Sequence, residues 1–422
     1  MSLMPLVPSS KSILNRVLLI STYLKNTLIL QNYYPCKDSE TFLDNLKKLG
    51  FDISIKNTLL KITPPEKIKL KANLFIEDAG TVYRFLLARL CFEKGGKYIF
   101  KISKQLQNRP IKELVQALQE LGAKIEKKDE SFFIEGKILQ KKNVQIVSQR
   151  SSQFVSALYL LAPLAGTGFR VKAVGSRVSA SYLIVTQKVL QDFGIIFEND
   201  RCSSADLKNP HYYYLEPDYS ALAYFWLLGS LNDTPIYTGY SSSIQPDSKF
   251  WYILKKMGAK VVLEKNTISL QYKQILGIDV DMENTPDQVP SLVIAALFAK
   301  KITTISQIDH LRYKESNRIE NLIFELQKIG ANIKYKQRRL VVYPLAKEPK
   351  PTSLESHQDH RLYMSFSILK QVFPQLQVTQ SSCVQKSFPN FNKEINKLRT
   401  SLNFSKLKRS FVYKLNVNNS TT

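Results

Sequence analysis

"IFELQKIGANI", residues 323–333, is an apolar-periodic segment that stops at a glycine and resumes as a strand-like run. Glycine just past a helix end takes the left-handed conformation that closes the helix, and the apolar residues after it carry the chain back as a strand. The same pattern recurs as "LDNLKKLGFDI" (43–53), "VQALQELGAKI" (115–125), "TQKVLQDFGII" (186–196) and "WYILKKMGAKV" (251–261). The glycines are Gly50, Gly122, Gly194, Gly258 and Gly330, at intervals of 72, 72, 64 and 72 residues. A further step of 72 lands on Leu402, where "EINKLRTSLNF" (394–404) has the helical pattern without the glycine. Six copies of roughly 70 residues therefore fill the chain, as a repeat architecture requires.

A second signal rides at fixed phase. About 38 to 43 residues before each glycine, a polar cluster opens another apolar segment: "SSKSILNRVLLI", "DAGTVYRFLLA", "RSSQFVSALYLL", "PDYSALAYFWLL", "PDQVPSLVIAALFA" and, in the sixth copy, "QDHRLYMSFSIL". Ser12, Thr81, Ser151 or Ser152, Ser220 and the aspartates of the later copies are cap-type residues, so each cluster reads as a helix N-terminus. A third cluster precedes the glycine-ended helix by about 12 residues, as in "PCKDSE", "QNRPIKEL" and "KESNRIE". Each copy thus reads strand, helix, strand, helix, strands. If the first helices pack in parallel, three to each half, their positive ends converge on a place suited to anions.

Composition narrows the class. With 422 residues, 44% of them hydrophobic, the chain has material for two domains of about 200 residues each. No window approaches the eighteen or so apolar residues of a membrane span, and "MSLMPLVPSSK" lacks the features of a signal peptide, so a cytoplasmic protein is expected. Cys36, Cys91, Cys202 and Cys383 form no CxxC pair and read as buried free thiols rather than zinc ligands. Sixty Lys and Arg against 35 Asp and Glu give a formal charge of +25, which favours anionic partners, although a lysine-rich coding bias gives the same excess.

The chemistry-bearing residues fall at the phased clusters. The first half offers Lys11, Ser12, Arg16, Gly80, Arg84, Arg109, Ser151, Ser152 and Gln153, and the second half Asp287, Lys314, Glu315, Arg318, Arg361 and Lys386. Arginine presents a planar fork to carboxylate or phosphate, and lysine a mobile charge. Many cations with few carboxylates suit two multiply anionic substrates, which leaves Asp287 and Glu315 as acid–base candidates. Lys314 and Arg318 share one face if the helix of the opening segment reaches back that far, and an anion between them would remove their repulsion.

At this point the motifs resemble those of the 5-enolpyruvylshikimate-3-phosphate synthases. They stand in that family's order as "PSSKSILNR", "DAGTVYRF", "NRPIKELVQALQELGA", "SSQFVSALYLLAPLAG", "PDYSALAYF", "TPDQVPSLVIAALFA", "RYKESNRI", "QDHRLYMSFS" and "CVQKSFPNF", across about residues 5 to 400. The resemblance implies an α/β fold of two domains, an inside-out α/β barrel with three βαβαββ units per domain, and an active cleft that closes against water. One domain is expected over 9–217 and the other over 1–8 plus 218–405, with a basic tail at 406–422. It implies a monomeric enzyme without metal or organic cofactor that moves the enolpyruvyl group of phosphoenolpyruvate to the 5-hydroxyl of shikimate 3-phosphate. By residue, it implies that Lys11, Ser12, Arg16, Ser151, Ser152, Ser179, Tyr182, Asp287 and Lys314 bind shikimate 3-phosphate. Lys11, Gly80, Arg109, Gln153, Arg318, Arg361 and Lys386 fall to phosphoenolpyruvate, and Asp287, Glu315 and Lys11 to proton transfer.

The chain departs from the family pattern at Ser9 and Phe85, where glycine and proline are usual, and at Asp78 and His310, where asparagine is common. A side chain at Ser9 is expected to obstruct a turn that glycine permits, and Asp78 to add negative charge near an anion site. The usual N-terminal strand is short or missing. Two other readings are UDP-N-acetylglucosamine enolpyruvyl transferase and a basic nucleic-acid-binding or degenerate paralogue. Against the first, Lys11 is followed by Ser12 rather than asparagine and no cysteine stands between Phe92 and Arg109; against the second, no aromatic-basic RNA-binding motif occurs.

Overall fold

The structure is a computed structural model that describes residues 4–175 and 180–409. It divides into two compact units, one of Pro8–Pro217 and the other joining the residues up to Val7 to those from Asp218 onward.

The glycine-ended helices follow from local backbone geometry. Helix Lys37–Lys48 ends as Gly50 turns to φ +104°, with Gly50 N–H donating to Lys47 and Phe51 N–H to Leu46. Helix Lys112–Glu120 ends the same way at Gly122, and the paired bonds recur at Gly258 and Gly330. This is the closure in which a left-handed residue lets two N–H groups satisfy the last carbonyls. The sixth helix, Phe391–Leu398, ends instead in a short 3₁₀ turn.

In unit Pro8–Pro217 each copy contributes a four-stranded sheet. Lys71–Ile76 runs parallel to Lys97–Ile102, which pairs antiparallel with Ser131–Glu135 and that in turn with Lys124–Lys128. Asn143–Val147, Arg170–Val174, Arg201–Ala205 and Ile195–Glu198 repeat the order. In the first copy the parallel partner of Leu28–Gln31 is Tyr212–Tyr214, brought back from the far end of the unit. The second unit is less complete. Ile236–Gly239, Thr267–Gln271 and Lys260–Leu263 make a three-stranded sheet, residues 4–7 form no strand, and among the described residues Thr352–Glu355 pairs only with Leu376–Thr379.

The first helix of each copy forms the core. All residues of Tyr219–Leu231 and Val289–Leu297 are buried, as are most of His360–Val372, and these three helices pack against one another. A helix apolar on every face has no solvent side to present. In the other unit the corresponding helices are Lys11–Ser21, Gly80–Leu90 and Ser152–Tyr159.

The expected start of the tail needs correction. Leu407 is fully buried in the core, Phe404 is 9% exposed, and Lys406 N–H donates to Asp233 Oδ2 at 2.9 Å. Packing against the Asn232–Asp233 turn therefore draws the chain into this unit beyond residue 406; residues 410–422 lie outside those described.

Candidate active site

In unit Pro8–Pro217 several candidate residues stand at helix starts, though some caps differ from those expected. Ser10, rather than Ser12, caps helix Lys11–Ser21; Ala79 precedes helix Gly80–Leu90 without a side-chain cap; Ser151 caps the helix beginning at Ser152 and accepts from Gln153 N–H at 3.2 Å. Lys11 is the first helical residue, and its ammonium lies 2.9 Å from Asp38 Oδ2. Arg16, one turn on, donates to Ser12 O at 2.6 Å, Thr186 Oγ1 at 2.8 Å and Tyr182 O at 3.1 Å, and its guanidinium lies 5.5 Å from the Phe85 ring centre. Burial lowers its pKa to about 10, with Tyr182 opposing. Phe85 thus seats a cation.

Gly80, Arg109 and Gln153 come together beside Arg84. A Cβ on Gly80 would fall on the Arg109 guanidinium and within 2.9 Å of Arg84 Nη1, so a side chain there would push these guanidinium groups aside. Gln153 Oε1 accepts from Arg84 Nη1 at 2.7 Å. Ser179 lies outside the described residues.

The departures are accommodated. The Ser9 hydroxyl donates to Asn32 O and accepts from Tyr34 N–H, both at 2.7 Å, so it links the loop and does not obstruct it. Asp78 accepts from Ser103 Oγ at 2.6 Å.

In the second unit Lys314 and Arg318 depart from the helical-face expectation. The helix begins at Arg318, capped by Asn317, and Lys314 is extended after a 3₁₀ turn, so the two cations do not share a helical face. Arg318, 1% exposed, is held by three carboxylates. Its Nε and Nη2 reach both oxygens of Asp359 at 2.7 and 3.3 Å, Nη1 donates to Asp287 Oδ1 at 2.8 Å, and Nη2 also donates to Glu315 Oε2 at 2.7 Å. Around this knot stand Arg361, 3.2 Å from Asp287 Oδ2, Lys314, 3.7 Å from Asp287 Oδ1, and Lys386, 3.6 Å from Glu315 Oε1. Burial works to raise the Asp287 pKa, but Lys314, Arg361 and Arg318 outweigh it and hold the carboxyl well below the usual range. His310 is pushed down to about 3 by burial, with Lys314 adding to the effect.

Asp38, Thr186 and Asp359 were not among the residues singled out from sequence. Asp359 stands in "QDHR" two places before Arg361, where it also caps helix His360–Val372 by accepting from Arg361 N–H at 2.9 Å. Asp247, 1% exposed, accepts from Ser220 Oγ, and its pKa is raised to about 6 by burial and then by Asp287. Among the described residues one trio could hold a metal, Glu325, Glu355 and His357, but Lys328 Nζ lies 2.8 Å from each Glu325 oxygen and reads as an internal ion pair. The four cysteines are free thiols, three of them buried. No helix among the described residues is long and apolar enough to cross a membrane.

A clamp of guanidinium and ammonium groups over ionised carboxylates suits a polyanionic substrate that must also exchange protons. The family model described as EPSP synthase (3-phosphoshikimate 1-carboxyvinyltransferase) matches residues 6–395. Among curated proteins, the chain is similar to a 3-phosphoshikimate 1-carboxyvinyltransferase of Mannheimia haemolytica, 31% identical over 93% of this chain and 95% of that one. One from Haemophilus influenzae (strain PittGG) is 32% identical over the same shares. Among solved structures, EPSP synthase from Acinetobacter baumannii superposes with a TM-score of 0.75 at 21% identity, covering 94% of this chain and 97% of that one. The enolpyruvyl transferase NikO from Streptomyces tendae gives 0.73 at 12% identity, covering 93% of each. These two likenesses give the fold, the two-domain inside-out α/β architecture; the family match and the identity of the curated relatives carry the assignment further, and the chain belongs to the EPSP synthase family.

Proposed function

We propose that the chain is a 3-phosphoshikimate 1-carboxyvinyltransferase, which moves the enolpyruvyl group of phosphoenolpyruvate onto the 5-hydroxyl of shikimate 3-phosphate. The 5-hydroxyl gives up its proton as its oxygen bonds to C2 of phosphoenolpyruvate, and C3 gains a proton, giving a tetrahedral intermediate. C3 then loses a proton, the C2–O bond to phosphate breaks, and phosphate leaves. Family membership supports the reaction, and the observation that supports the site is the Arg318 knot, in which one buried guanidinium holds Asp287, Glu315 and Asp359 among three further cations.

In this reading Ser12, Arg16, Ser151, Ser152, Ser179, Tyr182, Asp287 and Lys314 hold shikimate 3-phosphate, and Gly80, Arg109, Gln153, Arg318, Arg361 and Lys386 hold phosphoenolpyruvate. Lys11 serves both substrates and joins Asp287 and Glu315 in proton transfer. Without substrates, Asp287 is a weak base, because three cations stabilise its ionised form. When substrate anions draw Lys314 or Arg361 toward themselves, or take up the charge of Arg318 where it stands, that stabilisation falls and the Asp287 pKa rises toward a useful value. Binding of the anions and activation of the base are thus one event. The enzyme works as a monomer in the cytoplasm and binds no nucleic acid.

The test is phosphate release from phosphoenolpyruvate by purified protein. Release is expected only with shikimate 3-phosphate present. Release driven by UDP-N-acetylglucosamine instead would transfer the protein to the other enolpyruvyl transferase class, and none with either substrate would refute the activity.

A further inference from the structure

We propose that Arg84 is a positioning residue of the phosphoenolpyruvate pocket, a clamp that fixes the orientation of Gln153 and ties together the three segments carrying Gly80, Arg109 and Gln153. The proposal rests on assigning those three residues to phosphoenolpyruvate. Arg84 lies on the helix Gly80–Leu90, 1% exposed. Its guanidinium donates to Gly80 O at 3.0 Å, to Gln153 Oε1 at 2.7 Å and to Pro110 O at 2.8 Å. Those acceptors belong to Gly80, to Gln153 and to the residue after Arg109. One side chain therefore reaches the backbone or side chain of every segment of this unit that carries a phosphoenolpyruvate candidate other than Lys11.

The chemistry follows from the carboxamide. Glutamine can present either a carbonyl oxygen, which repels an anion, or an amino group, which donates to it. Because Arg84 takes up Oε1, Nε2 is the end left for an anion. The guanidinium is seated against the Phe154 ring, 5.4 Å from its centre, which fixes the plane of the fork. Its charge also stands beside that of Arg109 at the start of the Gly80–Leu90 helix, where a virtual Cβ on Gly80 meets both guanidinium groups. Two cations at a helix N-terminus favour an anion there more than either alone. Lysine keeps the charge but cannot span three acceptors in a fixed plane.

The experiment compares Arg84→Lys, Gln153→Ala and the double variant in the whole enzyme, measuring kcat and the KM of each substrate. Arg84→Lys is expected to raise the phosphoenolpyruvate KM about tenfold, with kcat and the shikimate 3-phosphate KM within about threefold, the pattern of lost ground-state binding. In the double variant the rise in phosphoenolpyruvate KM should fall short of the product of the two single effects, because the changes disable one device in part. Multiplying effects, or equal rises for both substrates, would overturn the proposal. If Gln153→Ala leaves the phosphoenolpyruvate KM unchanged, the site assignment falls and takes the clamp with it. If Gln153→Ala raises that KM and Arg84→Lys does not, the clamp alone falls. Should Arg84→Lys not fold, Phe154→Leu loosens the seat and leaves the acceptors in place; the same selective rise in KM is expected, and its absence counts against the clamp.

Discussion

Replacing Glu315 by glutamine separates proton transfer from ion pairing. Glu315 Oε2 accepts from Arg318 Nη2 at 2.7 Å, and Oε1 lies 3.6 Å from Lys386 Nζ. A glutamine carbonyl can keep the first contact, and Arg318 retains both oxygens of Asp359 and one of Asp287. The fold should therefore survive, at a cost of about 1–3 kcal/mol for weakening one charged hydrogen bond. Arg318→Ala is a poorer probe. It strands the fully buried Asp359 carboxylate together with Asp287 and Glu315, and breaking such a buried pair costs about 3–5 kcal/mol, so lost activity would report unfolding. If Glu315 moves a proton, Glu315→Gln should lower kcat by about 10²–10⁴-fold, equivalent to about 2.7–5.5 kcal/mol on the barrier. The phosphoenolpyruvate KM should change little, since its cations remain. The assay is phosphate release with both substrates saturating, beside thermal unfolding of the same sample. A kcat within threefold of wild type would refute the role, leaving Glu315 a partner of Arg318 and assigning the proton to Asp287 or Lys11.

Two further predictions concern stability. Folded His310 stays neutral down to about pH 3, while the unfolded chain takes up its proton below about 6.5, so this group makes stability fall as pH drops through that window, by up to about 1.4 kcal/mol per pH unit. His310→Asn should make the acid limb of stability against pH shallower between pH 6 and 4, measured by urea unfolding; an unchanged slope would mean that the imidazole charges in the folded state. Leu407→Ala should cost about 3–4 kcal/mol and lower the unfolding midpoint by about 10 °C, since Leu407 is fully buried. Ending the chain after Thr400 should unfold the second unit, whereas ending it after Arg409 keeps Phe404 and Leu407 in place. Full activity of the shorter chain would show that this packing is dispensable.

What the sequence disclosed was local. The helix closures at Gly50, Gly122 and Gly258 are made by residues within one turn, so their signature is written in a few consecutive letters. Strand pairing was not legible in the same way. Tyr212–Tyr214 completes the sheet of Leu28–Gln31 from about 180 residues away, and nothing in "YYY" names that partner. Each cluster lies within two residues of its helix start, but Thr81 and Asp287 cap no helix, and the capping side chain is not the expected one at Ser12 and Ser220. In each case a competing cap, Ser10 or Asp218, stands two residues earlier, and only the backbone geometry decides between them.

The site divides along the same line. Lys11 and Arg361 were legible because each stands at the start of an otherwise apolar helix of the repeat, where a charge has few structural uses. Their partners were hidden by having ordinary uses. Asp359 caps a helix as any aspartate can, and only the fold reveals that the same carboxylate grips Arg318 with both oxygens. That second duty changes what Arg318 can do. A guanidinium already bonded to Asp359, Asp287 and Glu315 has little freedom to swing, so in the proposed function phosphoenolpyruvate would come to it, displacing Asp287 or Glu315 from its Nη atoms while Asp359 keeps the fork in plane. The two carboxylates displaced in that reading are the two proposed for proton transfer, and losing Arg318 would raise the proton affinity of Asp287, which that cation helps to hold down.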